Sequence, residues 1–194
     1  RKEGLETLTQ ELEAKVQVVP LSFDVQDQKA VFAAIASLPA SWRKIDVLIN
    51  NAGLALGKDY FDDADLQDWE TMIDTNIKGL VYMTRALLPG MVTRGRGHVI
   101  NIGSVAANYP YPGGNVYGAT KAFVRQFSLN LRADLIGTPV RVTDIEPGMC
   151  GGTEFSRVRF HGDDAAADKV YEGVDYLTAQ DVAEAVRWAA TQPP

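Results

Sequence analysis

Three short apolar runs constrain this chain most, because each stops abruptly in residues that a strand interior would not carry. Ile45 to Ile49 runs into Asn50-Asn51-Ala52-Gly53, His98 to Ile102 into Gly103-Ser104, and Val140 to Ile145 into Glu146-Pro147-Gly148. Runs this short and this apolar suit strands buried on both faces of a sheet. Amides, glycines and a hydroxyl at the far end of each run offer hydrogen bonds and close backbone approach. In open parallel α/β sheets that is the edge where ligands bind. Asn50 to Gly53 taken alone reads equally well as an ordinary turn.

The segments between these runs carry helical periodicity. Lys2 to Ala14 sets Leu5, Leu8 and Leu12 on one stripe, and Gln28 to Leu38 does the same with Val31, Phe32, Ile35 and Leu38 before Pro39 ends it. Asp65 to Leu88 predicts a long helix buried through Leu66, Trp69, Met72, Ile73, Leu80 and Met83. A further helix carries Tyr117 and runs past Leu131 and Leu135 to Gly137, a residue suited to a C-terminal cap. Thr178 to Ala190 closes the series, with Thr178 as N-cap and Asp181 three residues on. Val16 to Phe23 predicts another strand, placed at a sheet edge because Pro20 cannot donate to a ladder. Met149 to Asp164 is too long for a simple connection and predicts a lid or substrate loop. Strands alternating with helices predict a doubly wound parallel α/β sheet, Rossmann-like, in a single domain over residues 1–194.

At 194 residues and 46% hydrophobic, the chain can bury one substantial core. A net charge of -6 argues against nucleic acid or an anionic membrane surface as partner. No apolar run approaches the roughly 20 residues that span a bilayer. One cysteine, Cys150, excludes an internal disulfide and fits a reducing, cytoplasmic setting, and with His98 and His161 it makes no metal-ligand cluster.

The chemistry concentrates between Gly103 and Phe127. Ser104 follows a strand, a proline- and glycine-rich loop intervenes, and a helix then carries Tyr117 and Lys121 four residues apart on one face. A phenol beside an ammonium, within reach of a hydroxyl, outlines a proton-transfer site, since a nearby positive charge favours the phenolate. Tyr and Lys at this spacing also occur as a half-buried ring with a solvated neighbour. Asn76 falls on the buried stripe between Ile73 and Leu80, so it needs a polar partner, and a structural bond to backbone is the simplest one. Gly79 would permit close packing against a neighbour.

With Asp24-Val25, Asn50 to Gly53, Asn76, Ser104, Tyr117-Gly-Ala-Thr-Lys121 and Pro147-Gly148 in order, the chain resembles the short-chain dehydrogenase/reductase family over nearly its whole length. Asn50 to Gly57, Asp68 to Met91, Gly114 to Leu131 and Val140 to Phe160 resemble its branch of NADP-dependent 3-hydroxy acid dehydrogenases. That branch acts on L-allo-threonine and serine and reduces malonic semialdehyde. The resemblance implies Tyr117 as catalytic acid/base, Lys121 as the group that lowers its pKa and holds the nicotinamide ribose, and Ser104 as the residue orienting the substrate oxygen. It implies that Asn76 holds a water relaying protons to Lys121. Asp24 and Val25 would flank the adenine, with Asn51, Ala52 and Gly53 along the cofactor. Pro147, Gly148 and Thr153 would cover the nicotinamide and phosphates, and Arg1 would meet the 2′-phosphate of NADP. A substrate carboxylate would need a cation, for which Arg157 and Arg159 are both candidates. Family members usually assemble as homotetramers.

The family's glycine-rich pyrophosphate turn is expected before Arg1, and its last strand after Pro194. Both ends look cut, so the sheet is expected to be incomplete at both ends and the isolated chain to bind NADP poorly. Two other functions fit the same residues. One is another short-chain reductase, such as a 3-oxoacyl thioester reductase. The other is a non-catalytic nucleotide-binding protein on the same fold.

Overall fold

A computed structural model of the chain describes residues 2–193. Its centre is a parallel sheet of β1 (Val47–Asn50), β2 (Gly97–Ile102) and β3 (Val140–Ile145), in that order. Register pairs Leu48 with Val99, Val99 with Val142, Asn50 with Asn101 and Asn101 with Asp144. Side chains alternate along a strand, so these residues share one face. On that face Leu48, Val99, Val140 and Val142 meet Leu87 and Met91 of α4 (Leu80–Arg94) and Leu131 of α5 (Asn115–Asp134) in the main core. The alternate residues His98 and Ile100 point the other way, where α8 (Ala179–Thr191) packs on β2 and β3. Helices on both faces of a parallel sheet are the doubly wound α/β arrangement that the alternating sequence predicted.

A chain of amides runs through the core. Asn50 Nδ2 donates to Asn101 Oδ1 at 2.8 Å and to Thr84 Oγ1 at 3.0 Å, while Asn101 Nδ2 donates to Ser128 Oγ at 2.8 Å. The chain joins α4, β1, β2 and α5 and leaves neither buried amide unpaired.

Several elements differ from the sequence expectation. Val16 to Phe23 forms no strand; its first residues line a cleft of about 650 Å³ with Trp42. A strand exists only through its ladder, and no neighbouring strand lies beside this stretch among the described residues. The predicted Asp65 to Leu88 helix is three consecutive segments: α3 (Leu66–Ile73), a π turn (Asp74–Gly79) and α4, which continues through Pro89 to Arg94. Gly95, with φ of 65°, caps it. Met149 to Asp164 is not an open loop. It contains β4 (Cys150–Gly151) and the short helix α6 (Phe155–Arg159), after which α7 (Asp164–Lys169) leads to β5 (Leu177–Thr178), parallel to β4. The capping box on α8 is complete, with Thr178 and Asp181 each bonding the other's backbone N–H. The helices α1 (Lys2–Glu13) and α2 (Gln28–Ser37) lie within a residue of their predicted ends. Among the described residues no helix is long and apolar enough to cross a membrane.

Candidate active site

The three strand ends meet at one sheet edge, as parallel pairing requires. Gly103 N donates to Ile145 O at 2.7 Å and Val105 N to Pro147 O at 3.0 Å, so the Ser104 and Pro147 turns are laced together. Asn51, Ala52, Gly53 and Gly148 are exposed along this edge.

Helix α5 projects Tyr117 and Lys121 into it. Both are nearly buried, at 9% and 7% exposure. Lys121 Nζ donates to Ile102 O at 2.8 Å and stands 5.9 Å from the Tyr117 ring centre. The Ser104 hydroxyl lies near enough to the phenol to favour its anion and accepts from Ala106 N at 3.1 Å. The proton-transfer trio inferred from spacing is therefore assembled. Its electrostatics differ from expectation: burial pushes the Tyr117 phenol above its ordinary value, opposed by the Ser104 hydroxyl and by the positive charge of Arg159. Lys121 is turned to the strand carbonyl, and burial brings its own pKa down to about 8, opposed by Asp144.

Asn76 sits in the π turn, a helix irregularity frequent at functional sites. Its Oδ1 accepts from Leu54 N at 2.9 Å, and its Nδ2 donates to Leu54 O at 2.8 Å and Thr120 Oγ1 at 3.0 Å. The buried amide thus has the backbone partner anticipated for it, and it clips the strand-end turn to α5. Gly53 passes close to both groups: a Cβ built there would stand 3.3 Å from Asn76 Oδ1 and 3.5 Å from Lys121 Nζ. Asp24-Val25 docks onto the same π turn. Gln26 Nε2 donates to Thr75 Oγ1 at 2.9 Å, and a Cβ at Gly79 would fall 2.9 Å from Val25 Cγ2. Gly79 does allow the close packing predicted for it. Asp24 is exposed and caps Gln26 N; Thr153 is exposed and caps Phe155 N. Arg1 lies outside the described residues.

The residues present fit a dinucleotide. Among the described residues Lys121 gives only one of its three N–H bonds to protein, leaving two for ligand hydroxyls. Beside it the edge presents open backbone at Asn51 to Gly53 and at Gly148, where a Cβ would meet nothing within 4 Å.

The two loop arginines separate. Arg157 is 61% exposed and pairs with Asp164 at 3.1 Å. Arg159 turns inward, donating from Nε to Gly57 O at 3.0 Å, from Nη1 to Tyr111 Oη at 3.0 Å and from Nη2 to Gly113 O at 3.4 Å. Its guanidinium carbon is 5.4 Å from the Tyr111 ring centre and 5.8 Å from that of Tyr117. Phe155 covers the Tyr117 ring edge-on at 5.9 Å.

Tyr111, Phe155 and Thr120 had no spacing signal. Asp144 had one, an acid within an apolar strand. Both of its carboxylate oxygens are enclosed with no hydrogen-bond partner among the described residues. Burial and the neighbouring Glu146 raise its pKa to about 6.

The model of the short-chain dehydrogenase family matches residues 1–164. NADP-dependent 3-hydroxy acid dehydrogenase YdfG of Salmonella typhi is 64% identical over 193 residues, spanning 100% of this chain and 77% of that protein. Serine 3-dehydrogenase of Rhizobium radiobacter is 54% identical, across 100% and 76% of the two chains. A solved closed form of serine dehydrogenase complexed with NADP+ superposes with a TM-score of 0.95 at 62% identity, covering 100% of this chain and 77% of the other.

Proposed function

The chain belongs to the short-chain dehydrogenase family, and from that premise we propose that it is an NADP-dependent oxidoreductase acting on a small 3-hydroxy acid such as L-allo-threonine or serine, or reducing malonic semialdehyde. The observation that carries this is the assembled Ser104–Tyr117–Lys121 group in a chain 64% identical to a 3-hydroxy acid dehydrogenase. NADP, when bound, supplies the hydride acceptor in oxidation and the hydride donor in reduction.

Tyr117 takes the hydroxyl proton as the alcohol becomes a carbonyl, and returns it in the reverse direction. A phenol held protonated by burial is already the acid that reduction needs; oxidation needs the phenolate, favoured by adjacent positive charge. Ser104, beside the phenol, orients the same substrate oxygen. Lys121 directs its two free N–H bonds at the nicotinamide ribose and supports the phenolate. Gly53 brings Asn76 and Lys121 to one wall, where a water would relay protons between Tyr117's neighbourhood and solvent. Asp24 and Val25 would flank the adenine, Asn51, Ala52 and Gly53 would line the cofactor, and Pro147, Gly148 and Thr153 would cover the nicotinamide and phosphates.

Residues 1–194 act as one nucleotide-binding domain. The protein works in the cytoplasm as a homotetramer, a reading supported by family resemblance and by apolar Val92 and Leu129 left 39% and 40% exposed on α4 and α5. The test is substrate choice in the full-length protein. L-allo-threonine or serine with NADP+ should produce reduced cofactor far faster than a 3-oxoacyl thioester consumes it, and the opposite ranking would reassign the enzyme to acyl chemistry.

A further inference from the structure

We propose that the Arg159 guanidinium grips the carboxylate of the 3-hydroxy acid and sets the enzyme's demand for an acid, an assignment that rests on the substrate class proposed above. Phe155 and Arg159 are four apart on α6 and therefore share one face of it. Both lie against the Tyr117 ring, at 5.9 and 5.8 Å, whereas Arg157 between them reaches Asp164 on the surface. Only one of the two loop cations is presented to the acid/base residue.

Arg159 is held as a recognition group is held. Gly57 O, Tyr111 Oη and Gly113 O take three of its N–H bonds, and Gly57 N donates back to Arg159 O at 2.9 Å. A guanidinium has five such bonds in a fixed planar fork, so two remain for a ligand. Among the described residues no carboxylate pairs with it; Arg43, Arg85, Arg132 and Arg141 also lack one, but of these cations only Arg159 stands against the Tyr117 ring. A half-buried cation neutralised by no acid is completed by a bound anion, and a carboxylate matches its geometry. Reach agrees. In a 3-hydroxy acid three bonds of about 1.5 Å separate the hydroxyl oxygen from the carboxylate carbon. That reach is comparable with the 5.8 Å between the Arg159 guanidinium carbon and the Tyr117 ring centre, so a substrate hydroxyl at Ser104 and Tyr117 would bring its carboxylate toward Arg159.

Arg159 also staples the Gly57 and Gly113 turns together, and a purely structural staple makes a different prediction. Losing it would impair charged and neutral substrates alike, whereas losing a carboxylate clamp impairs the acid selectively. The experiment compares kcat/KM for 3-hydroxypropionate and its neutral carboxamide, with NADP+, in the full-length protein. The wild type should prefer the acid by about 10- to 100-fold, the range of one charged hydrogen-bonding contact. Arg159→Met should erase most of that ratio, chiefly through KM for the acid, and Arg159→Lys should retain an intermediate ratio. A ratio unchanged in Arg159→Met overturns the assignment, as does an equal loss for both substrates. If Arg159→Met does not fold, Arg159→Lys decides: a ratio equal to wild type overturns the clamp, and a reduced one supports it. Absence of acid oxidation by the wild type would instead overturn the substrate class, and this assignment with it.

Discussion

Lys121 on α5 donates to the carbonyl of Ile102, the last residue of β2, at 2.8 Å. The bond ties the helix bearing Tyr117 to the strand that delivers Ser104, so the three groups keep their spacing as one body.

Catalysis should depend on pH in opposite senses for the two directions. The buried phenol is raised above its ordinary value of 10, so oxidation should accelerate as pH climbs from about 7 to about 10 and phenolate forms, while reduction should hold across that range and fall only above it. Tyr117→Phe should lower turnover about a thousandfold in both directions without altering the melting temperature greatly. Absorbance of the reduced nicotinamide reads both effects, and undiminished turnover in the variant would remove Tyr117 from the chemistry.

Asn76→Ala should weaken the fold as well as the rate. It strands the Leu54 N–H and C=O and the Thr120 hydroxyl in a partly buried site, a loss of about 3 kcal/mol. Denaturant unfolding measures it. A loss under about 1 kcal/mol would mean that water replaces the amide at little penalty.

Gly79→Ala places a methyl 2.9 Å from Val25 Cγ2 and 3.4 Å from Val25 O. Alanine is the better helix former by about 1 kcal/mol, yet overpacking of this kind costs about 1–3 kcal/mol, so the variant should be neutral to destabilised. Adding Val25→Ala should recover stability beyond additivity, which a double-mutant cycle detects. Simple additivity would mean that the Asp24-Val25 segment moves freely away from the π turn.

Much of this was legible because periodicity and strand-end chemistry are local. The Tyr117–Lys121 spacing, the buried Asn76, the close approach at Gly79 and the Thr178 capping box each follow from residues near one another. What escaped depends on distant partners. Val16 to Phe23 has strand composition, but its state is decided by whether another strand lies beside it. The π turn arises where Asn76 must reach Leu54 and Thr120, a demand invisible within the helix. Arg157 and Arg159 are indistinguishable by composition; α6 separates them, and it had been read as loop.

Two buried groups should pull stability in opposite directions across the same pH range. His98 is 2% exposed, and burial, then Arg141, lowers its pKa from 6.5 to about 4. The fold holds it neutral, so its contribution is full above pH 6.5 and is lost as pH falls toward 4. Asp144 is raised from 3.8 to about 6, so stability is greatest below 3.8 and is lost as pH rises through 6. His98→Gln should flatten the acid limb of a melting-temperature profile. Asp144→Asn should raise melting temperature above pH 6 and change little near pH 4. Parallel shifts at every pH in either variant would show that neither group titrates with unfolding.

The Asn50–Asn101 bond acts as a gauge for the site. Gly53 and Ser104 each lie three residues beyond one of these two amides. A slip of β1 against β2 by one residue would shift Gly53 about 3.3 Å relative to Ser104. The same slip would turn Asn50 toward the wrong face, away from Asn101 and Thr84. Alignment of Gly53 with Ser104 is therefore enforced upstream, by a polar contact inside the core. Replacing either asparagine with an aliphatic residue would loosen the calibration of the pocket while leaving every catalytic side chain in the sequence.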